Sequence, residues 1–375
     1  MTSILYVGVD VDDNRFTATF INKHNHYHTI KTAPNFKALH KAITKTALPN
    51  EFIKVCYEAS YLGFSLKRQF DKVGIHCDLI ASSQIPVRPS DRIKTDRLDS
   101  EKLAKYYKQG LLKIVRAIDE ESEGHRLLIR GRNQTVHACK ICKQQILSAC
   151  RCQGIDYRSS TQCKSYWTKG HLAFLNGLLK DDRFNLHFRK DLEYKLYLLA
   201  THQGVVKQYD NDIHQLAISK RYRQAVGYLG CIRGIAELTA MTFIVEIGDI
   251  HRFAHPRKLM SYAGLSVCEY SSGGKSRKGG VTNMGNKYIR TAAVEACQLA
   301  GSRCTVNKAL RGRRIEQDLV AIEIGDRCMR RLYKKYHQLF HANKHFNKIK
   351  VACARELLGF IWEALHAAAA AELAD

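Results

Sequence analysis

The first 110 residues carry a series of apolar runs in an order that leaves few architectures open. Residues 4–9 (ILYVGV) read as a buried strand, and 15–21 (RFTATFI) and 26–32 (HYHTIKT) as two more, joined by short turns. Helical spacing then covers 35–47, a strand 53–58 (IKVCYE), a helix 62–73, a strand 76–81 (HCDLIA) and a helix about 97–110. Three strands in a meander followed by alternating helix and strand predict a mixed sheet flanked by helices.

Beyond residue 120 the pattern changes. From about 120 to 225 it is mostly helical and rich in Lys, Arg, Gln and His, with a less regular patch at 153–170, and reads as a long helical connector. Residues 228–305 form a glycine-rich segment with helices expected at 236–246 and near 286–300, the latter capped by Asn283 or a neighbour. The tail from 306 is helical and very basic, and ends in an alanine run of low information content.

Lys and Arg number 60 against 35 acids, a formal charge of +25. A chain so basic attracts polyanions, and nucleic acid is the leading partner. No apolar run reaches the roughly 18 residues that span a bilayer, and the start, MTSILYVGVDVDD, turns acidic too early for a signal peptide. Thirteen scattered cysteines, an odd number, point to reduced thiols in a cytoplasmic protein. Cys139, Cys142, Cys150 and Cys152 have a passing likeness to a zinc site, but they sit in a helix-like run and the second pair is too closely spaced. His24, His26 and His28 alternate, as on a solvated strand face.

Four carboxylates fall at element ends. Asp10 follows the first strand, Glu58 ends the fourth, and Asp96 and Asp99 open a helix, three residues apart and so on one helical face. Asp12 competes with Asp10, since a continuing strand would put both on one side; Asp10 directly follows the buried run. Taken singly, each acid reads as a turn residue or a helix N-terminal charge. Together they predict a site for hard cations with oxygen ligands, two Mg²⁺ ions that could stabilise attacking and leaving oxygens in phosphoryl transfer. Such a site, on a sheet of this order, is compatible with a ribonuclease-H-like nuclease domain, which the order alone would not establish.

The second constellation is EYSSGGKSRKGG, residues 269–280. Gly273 and Gly274 let the backbone approach a ligand, while Lys275, Arg277 and Lys278 supply charge for a phosphodiester. By spacing alone this is a phosphate-gripping loop, and it lacks the full P-loop pattern. A serine there would need a base or metal from elsewhere to act as a nucleophile. Lys287 and Arg290 on the following helix are weaker phosphate candidates whose bland reading is a solvated helix face.

With both constellations in view, the chain resembles the DEDD transposases of bacterial insertion sequences, the insertion-sequence family one-ten with its one-one-one-one subgroup, which includes the Piv-type invertases. YVGVD, CYEAS, KTDRLDSEKLA, RGIAELTAMTFIVEIGDIHRFAHPRKLMSYAGL, EYSSGG and GNKYIR carry the likeness along nearly the whole length. Two departures, Arg233-Gly-Ile-Ala236 for Pro-Gly-Ile-Gly and Val267 for a proline, fall at turns. The resemblance implies an α/β RuvC-like (ribonuclease-H-like) domain at 1–115, a helical coiled-coil connector at 116–225, a mainly α transposase domain with the serine loop at 226–305, and basic C-terminal helices at 306–375. It implies Asp10, Glu58, Asp96 and Asp99 as catalytic metal ligands and Ser272 as nucleophile, with Ser271 one position away. It further implies a bridge or seeker guide RNA encoded by the element, donor and target double-stranded DNA, a tetramer built as a dimer of dimers, and a nucleoid-associated place in a bacterial cytoplasm. Sequence choice would then rest on base pairing, with the protein reading backbone and shape. Two other readings stand beside this one: a water-using, metal-dependent nuclease or junction resolvase, and a non-catalytic RNA- or DNA-binding protein.

Overall fold

In the computed structural model, residues 3–86, 95–160, 165–270 and 277–372 are described. They fall into two compact units, 1–119 and 120–375, taken here separately.

Alternating side chains organise the sheet of the first unit. It comprises β1 (Ile4–Val11), β2 (Phe16–Ile21), β3 (Tyr27–Thr32), β4 (Phe52–Glu58), β5 (His76–Ile80) and β6 (Ile114–Val115), in the spatial order β3-β2-β1-β4-β5-β6. The meander strands β1, β2 and β3 pair antiparallel, β1 pairs β4 and β4 pairs β5 in parallel, and β6 closes the edge antiparallel to β5. Among the described residues, three α-helices cover this mixed sheet: α1 (Phe36–Thr46), α2 (Ser65–Lys72) and α3 (Asp96–Lys108). Leu39 and Ile43 of α1 and Leu66 and Phe70 of α2 pack with Val7, Val9, Val55, Tyr57 and Leu79 on one face. On the other face Leu103 of α3 packs with Cys56 and Ile80. The period of two along each strand separates these sets.

The expected elements of this unit are all present. The helix expected from residue 62 begins at Ser65, because 61–64 form turns ahead of it. β6, two residues long, carries too little pattern to be read from sequence.

The second unit is nearly all helical. Its long members are α4 (Glu120–Cys152) and, after the short α5 (Tyr157–Ser160) and α6 (Lys169–Leu178), α7 (Leu186–Ile218). The stretch expected to be irregular therefore contains helix. α4 and α7 run antiparallel, since Arg132 pairs with Asp210 at 2.7 Å while Cys150 shares its neighbourhood with Lys195. At 33 residues each, they extend about 50 Å.

Next come α8 (Arg223–Gly230), α9 (Glu237–Ile247), α10 (Pro256–Tyr262), a hairpin of β7 (Val267–Glu269) and β8 (Lys278–Val281), then α11 (Lys287–Ala296), α12 (Lys308–Arg313), α13 (Leu319–His341) and α14 (Phe346–Glu372). One core joins α8, α9, α10, α11, α13 and α14 to α4 and α7, drawing on Ile129 of α4, Ile213 of α7, Leu229 of α8, Phe243 of α9, Leu259 of α10, Ile289 of α11, Ile324 of α13 and Leu357 of α14. The cap of α11 is Asn286, whose Oδ1 accepts from the amides of Tyr288 and Ile289, while Asn283 stands three residues earlier at φ +53°. No described helix is long and apolar enough to cross a membrane.

Candidate active site

Sequence spacing places Asp10 and Glu58 at strand ends, and the register brings them level. Val9 pairs with Tyr57 across the parallel β1/β4 ladder, so the next residues on each strand are Asp10 and Glu58. Their direction follows from the residues two positions earlier. A Cβ on Gly8 would stand 2.3 Å from the Ala104 amide nitrogen and 2.4 Å from the Ser100 carbonyl oxygen, so Gly8 faces the backbone of α3. Cys56 likewise lies with its Sγ 3.8 Å from the Leu103 carbonyl oxygen. By alternation Asp10 and Glu58 share that face.

Helix α3 contributes the other two acids from its first turn. Thr95 caps it, its hydroxyl accepting from the Leu98 amide at 3.3 Å, and Asp96 and Asp99 follow. The helix is held on the sheet by a buried hydroxyl pair, Thr19 with Ser100 at 2.8 Å. Its N-terminus is tied by Arg15, at the entry to β2, which donates to Asp96 at 2.9 Å. All four acids are half-buried. The Arg15 guanidinium holds the Asp96 carboxyl below the usual carboxylate range, with smaller help from the charge of Lys31.

Asp12 is placed differently. It is exposed, and its Oδ1 accepts from the Asn14 amide at 3.0 Å, which makes it the turn residue between β1 and β2. Among the described residues, no three His, Cys, Asp or Glu side chains stand together closely enough to hold a metal ion. The four acids thus share a face and an end of the sheet, with Asp96 turned toward Arg15.

Sequence reasoning passed over Asp78 on this face. It is buried, accepts from the Tyr107 hydroxyl at 2.6 Å and lies 3.0 Å from His76 Nε2; burial first, and then this carboxylate, push the Tyr107 phenol upward. With both neighbours engaged, Asp78 serves to fasten α3 to β5.

In the second unit the serine segment connects two short strands. β7 and β8 pair antiparallel, and Tyr270 donates its amide to the Arg277 carbonyl at 2.9 Å. Ser271, Ser272, Gly273, Gly274 and Lys275 lie outside the described residues, as does the side chain of Lys278. Arg277 is exposed, and so is Lys287, whose ammonium stands 5.2 Å from the Tyr288 ring centre. Arg290 is half-buried, and its Nη1 donates to the Ala263 carbonyl at 2.8 Å, which ties α11 to the turn after α10.

The hairpin base is braced by a buried acid that sequence reasoning missed. Glu246 of α9 is fully buried and receives Arg130 on both oxygens, at 2.7 and 2.9 Å, and the Asn286 amide at 2.6 Å. Asn286 also donates its backbone amide to the Tyr262 carbonyl at 2.7 Å. The ends of the segment 263–285 are therefore held by one network, in which Gly264 (φ +71°) and Gly285 (φ +146°) allow backbone to approach backbone. A charge inside the apolar run Thr242-Phe-Ile-Val-Glu-Ile247 was the available signal.

The cysteine cluster of α4 has a plain structural account. Cys139, Cys142 and Cys150 are buried with Ile146, Leu175, Leu192 and Leu199, and Cys152 is exposed. His24 and His26 are exposed in the β2–β3 turn, and His28 on β3.

Residues 227–311 match the family model described as "Transposase IS116/IS110/IS902 family". That span includes the hairpin and α11. A Sinorhizobium fredii protein with the name "Putative transposase y4qE" is 30% identical over 86% of this chain and 78% of its own length. The transposase for insertion sequence element IS1533 of Leptospira borgpetersenii is 26% identical over 89% and 96% of the two chains. The transposase for IS1111A of Coxiella burnetii is 23% identical over 62% and 61%.

Proposed function

Since the chain belongs to the IS116/IS110/IS902 family of transposases, we propose that it is an RNA-guided DNA recombinase that moves an insertion sequence through a transient serine–DNA phosphodiester. The observation that carries this reading is the placing of Asp10 and Glu58, on neighbouring parallel strands, under the acidic first turn of α3. A mixed six-stranded sheet, with an antiparallel β1–β3 meander, β4 and β5 parallel to β1, and acids on the face that α3 covers, supports a RuvC-like role for the first unit.

Asp10, Glu58, Asp96 and Asp99 offer only carboxylate oxygens, the donor type a hard divalent cation takes, and they would hold Mg²⁺ with their side chains drawn together around it and Asp96 turned from Arg15. Bound there, Mg²⁺ would neutralise the carboxylates and stabilise charge developing on phosphate oxygens. The Ser272 hydroxyl attacks the phosphorus of a DNA phosphodiester and gives up its proton to a carboxylate. One P–O bond to sugar breaks, and the departing sugar hydroxyl takes a proton. An incoming strand's hydroxyl later attacks the serine–phosphate ester and releases the serine. The number of phosphoester bonds is conserved, so joining needs no ATP. Arg277, with Lys275 and Lys278, grips the phosphate.

Target choice falls to a guide RNA, and the acids of one subunit serve the serine of another in a tetramer. The test is a denaturing gel of protein, co-purified RNA, Mg²⁺ and supercoiled junction DNA. A protein–DNA adduct is expected for wild type and Ser271→Ala and absent for Ser272→Ala. Cleavage that survives Ser272→Ala without any adduct would replace the proposal with a water-using nuclease.

A further inference from the structure

The second unit contains a groove of about 1000 Å³ on the flank of the β7/β8 hairpin, walled by α10, α13 and α14. Its rim carries His255 and Arg257 of the α10 start, Lys335 of α13, and Lys348 and Arg355 of α14. Among the described residues, Arg257, Lys335, Lys348 and Arg355 have no carboxylate partner. The single acid of the lining, Glu356, is already engaged by Arg331 at 3.0 and 3.2 Å. Four cations that line one groove without a carboxylate partner of their own favour the entry of an anion. The floor is aliphatic: Met260, Leu265, Val267, Val281 and Val351.

We propose that this groove holds the sugar–phosphate backbone of a DNA strand along the β7/β8 hairpin. This rests on the reading of residues 271–276, which connect those strands in sequence, as the reacting loop. The cations suit phosphates, and the aliphatic floor suits deoxyribose. An RNA strand would bring 2′-hydroxyls onto that floor, where the side chains of Met260, Leu265, Val267, Val281 and Val351 offer them no hydrogen-bond partner, and this group is how proteins distinguish the two nucleic acids.

Gly280 supplies an unusual control on this assignment. It lines the groove, and a Cβ built on it meets no atom within 4 Å. A larger side chain there adds bulk to the lining, meets no atom at its Cβ and leaves the charge of the groove unchanged.

The experiment uses the full chain with its co-purified RNA and measures binding of a fluorescent junction duplex, and separately of an RNA strand, over a salt series. The variants are Gly280→Val, the triple Arg257→Gln/Lys348→Gln/Arg355→Gln and, as a control outside the groove, Arg330→Gln/Lys344→Gln. On duplex DNA the slope of log affinity against log salt falls by about 0.9 for each phosphate that a cation no longer neutralises. The triple variant should therefore show a slope shallower by about 2–3, and the control one close to wild type. Gly280→Val should weaken DNA binding at least tenfold, with RNA binding and the melting profile of wild type. Wild-type DNA affinity in both groove variants would overturn the inference, and so would a loss confined to RNA. Ser272→Ala tests the other reading separately: it should bind DNA normally, and failure of adduct formation in wild type would leave the groove result standing.

Discussion

Arg15 decides how Asp96 titrates. Its guanidinium depresses the folded-state pKa of that carboxyl, so the pair's stabilising contribution is present above the unfolded pKa and is lost as pH falls through the folded value. Arg15→Gln should move the Asp96 midpoint up, toward the ordinary carboxylate range, in side-chain carbonyl NMR; an unchanged midpoint would remove Arg15 as the cause. At this scale the sequence was informative where a carboxylate ends a strand. It separated Asp10 from Asp12 only by adjacency to the buried run, and the Asn14 amide on Asp12 supplies the physical reason. Glu246 and Arg130 were illegible because they lie 116 residues apart, and each alone reads as a charge on a helix. Removing one partner of a buried pair costs about 3–5 kcal/mol. Glu246→Ala should lose about that much in urea unfolding, and a loss under about 1 kcal/mol would deny the network its bracing role.

Elements place the chemistry by how closely they approach. Helix α3 lies on β1 because Gly8 has no side chain, and a methyl group there would meet the backbone of Ser100 and Ala104, which has no rotamer to yield. Gly8→Ala should destabilise the first unit by about 1–3 kcal/mol, the usual cost of overpacking, or somewhat more. It should also displace the α3 acids, so DNA cleavage should fall further than the unfolded fraction explains; wild-type stability would contradict the close approach. Period-two and helical patterns made the strands and helices of this unit readable to within a few residues. The two-residue β6 escaped because so short a strand has no period, and in the second unit the four-residue α5, inside the stretch read as less regular, is too short to show helical spacing. In the hairpin segment the glycines were legible as backbone freedom, whereas the tie of Arg290 to Ala263 depends on a turn that spacing does not reveal.

On the scale of the molecule, the two units and a charge of +25 fit a transposase that handles nucleic acid, and the basic excess was legible from composition alone. The thiols follow burial. Cys56, Cys77, Cys297 and Cys328 are buried and burial pushes their pKa values up, and that of Cys353 to about 11, while Cys152 and Cys304 are exposed. Thiolates are the reactive form, so brief alkylation of native protein should label Cys152 and Cys304 and spare the buried five until denaturant is added; early labelling of Cys56 or Cys328 would contradict the packing of either unit. The central claim is that a serine of the hairpin tip becomes joined to DNA, and the most direct test is to trap the reaction on Mg²⁺ and junction DNA, digest the DNA to a short remnant and sequence the tryptic peptide that carries it. The account predicts a nucleotide on Ser272 within the peptide Leu259–Lys275, whereas cut DNA with no nucleotide on any peptide would contradict it.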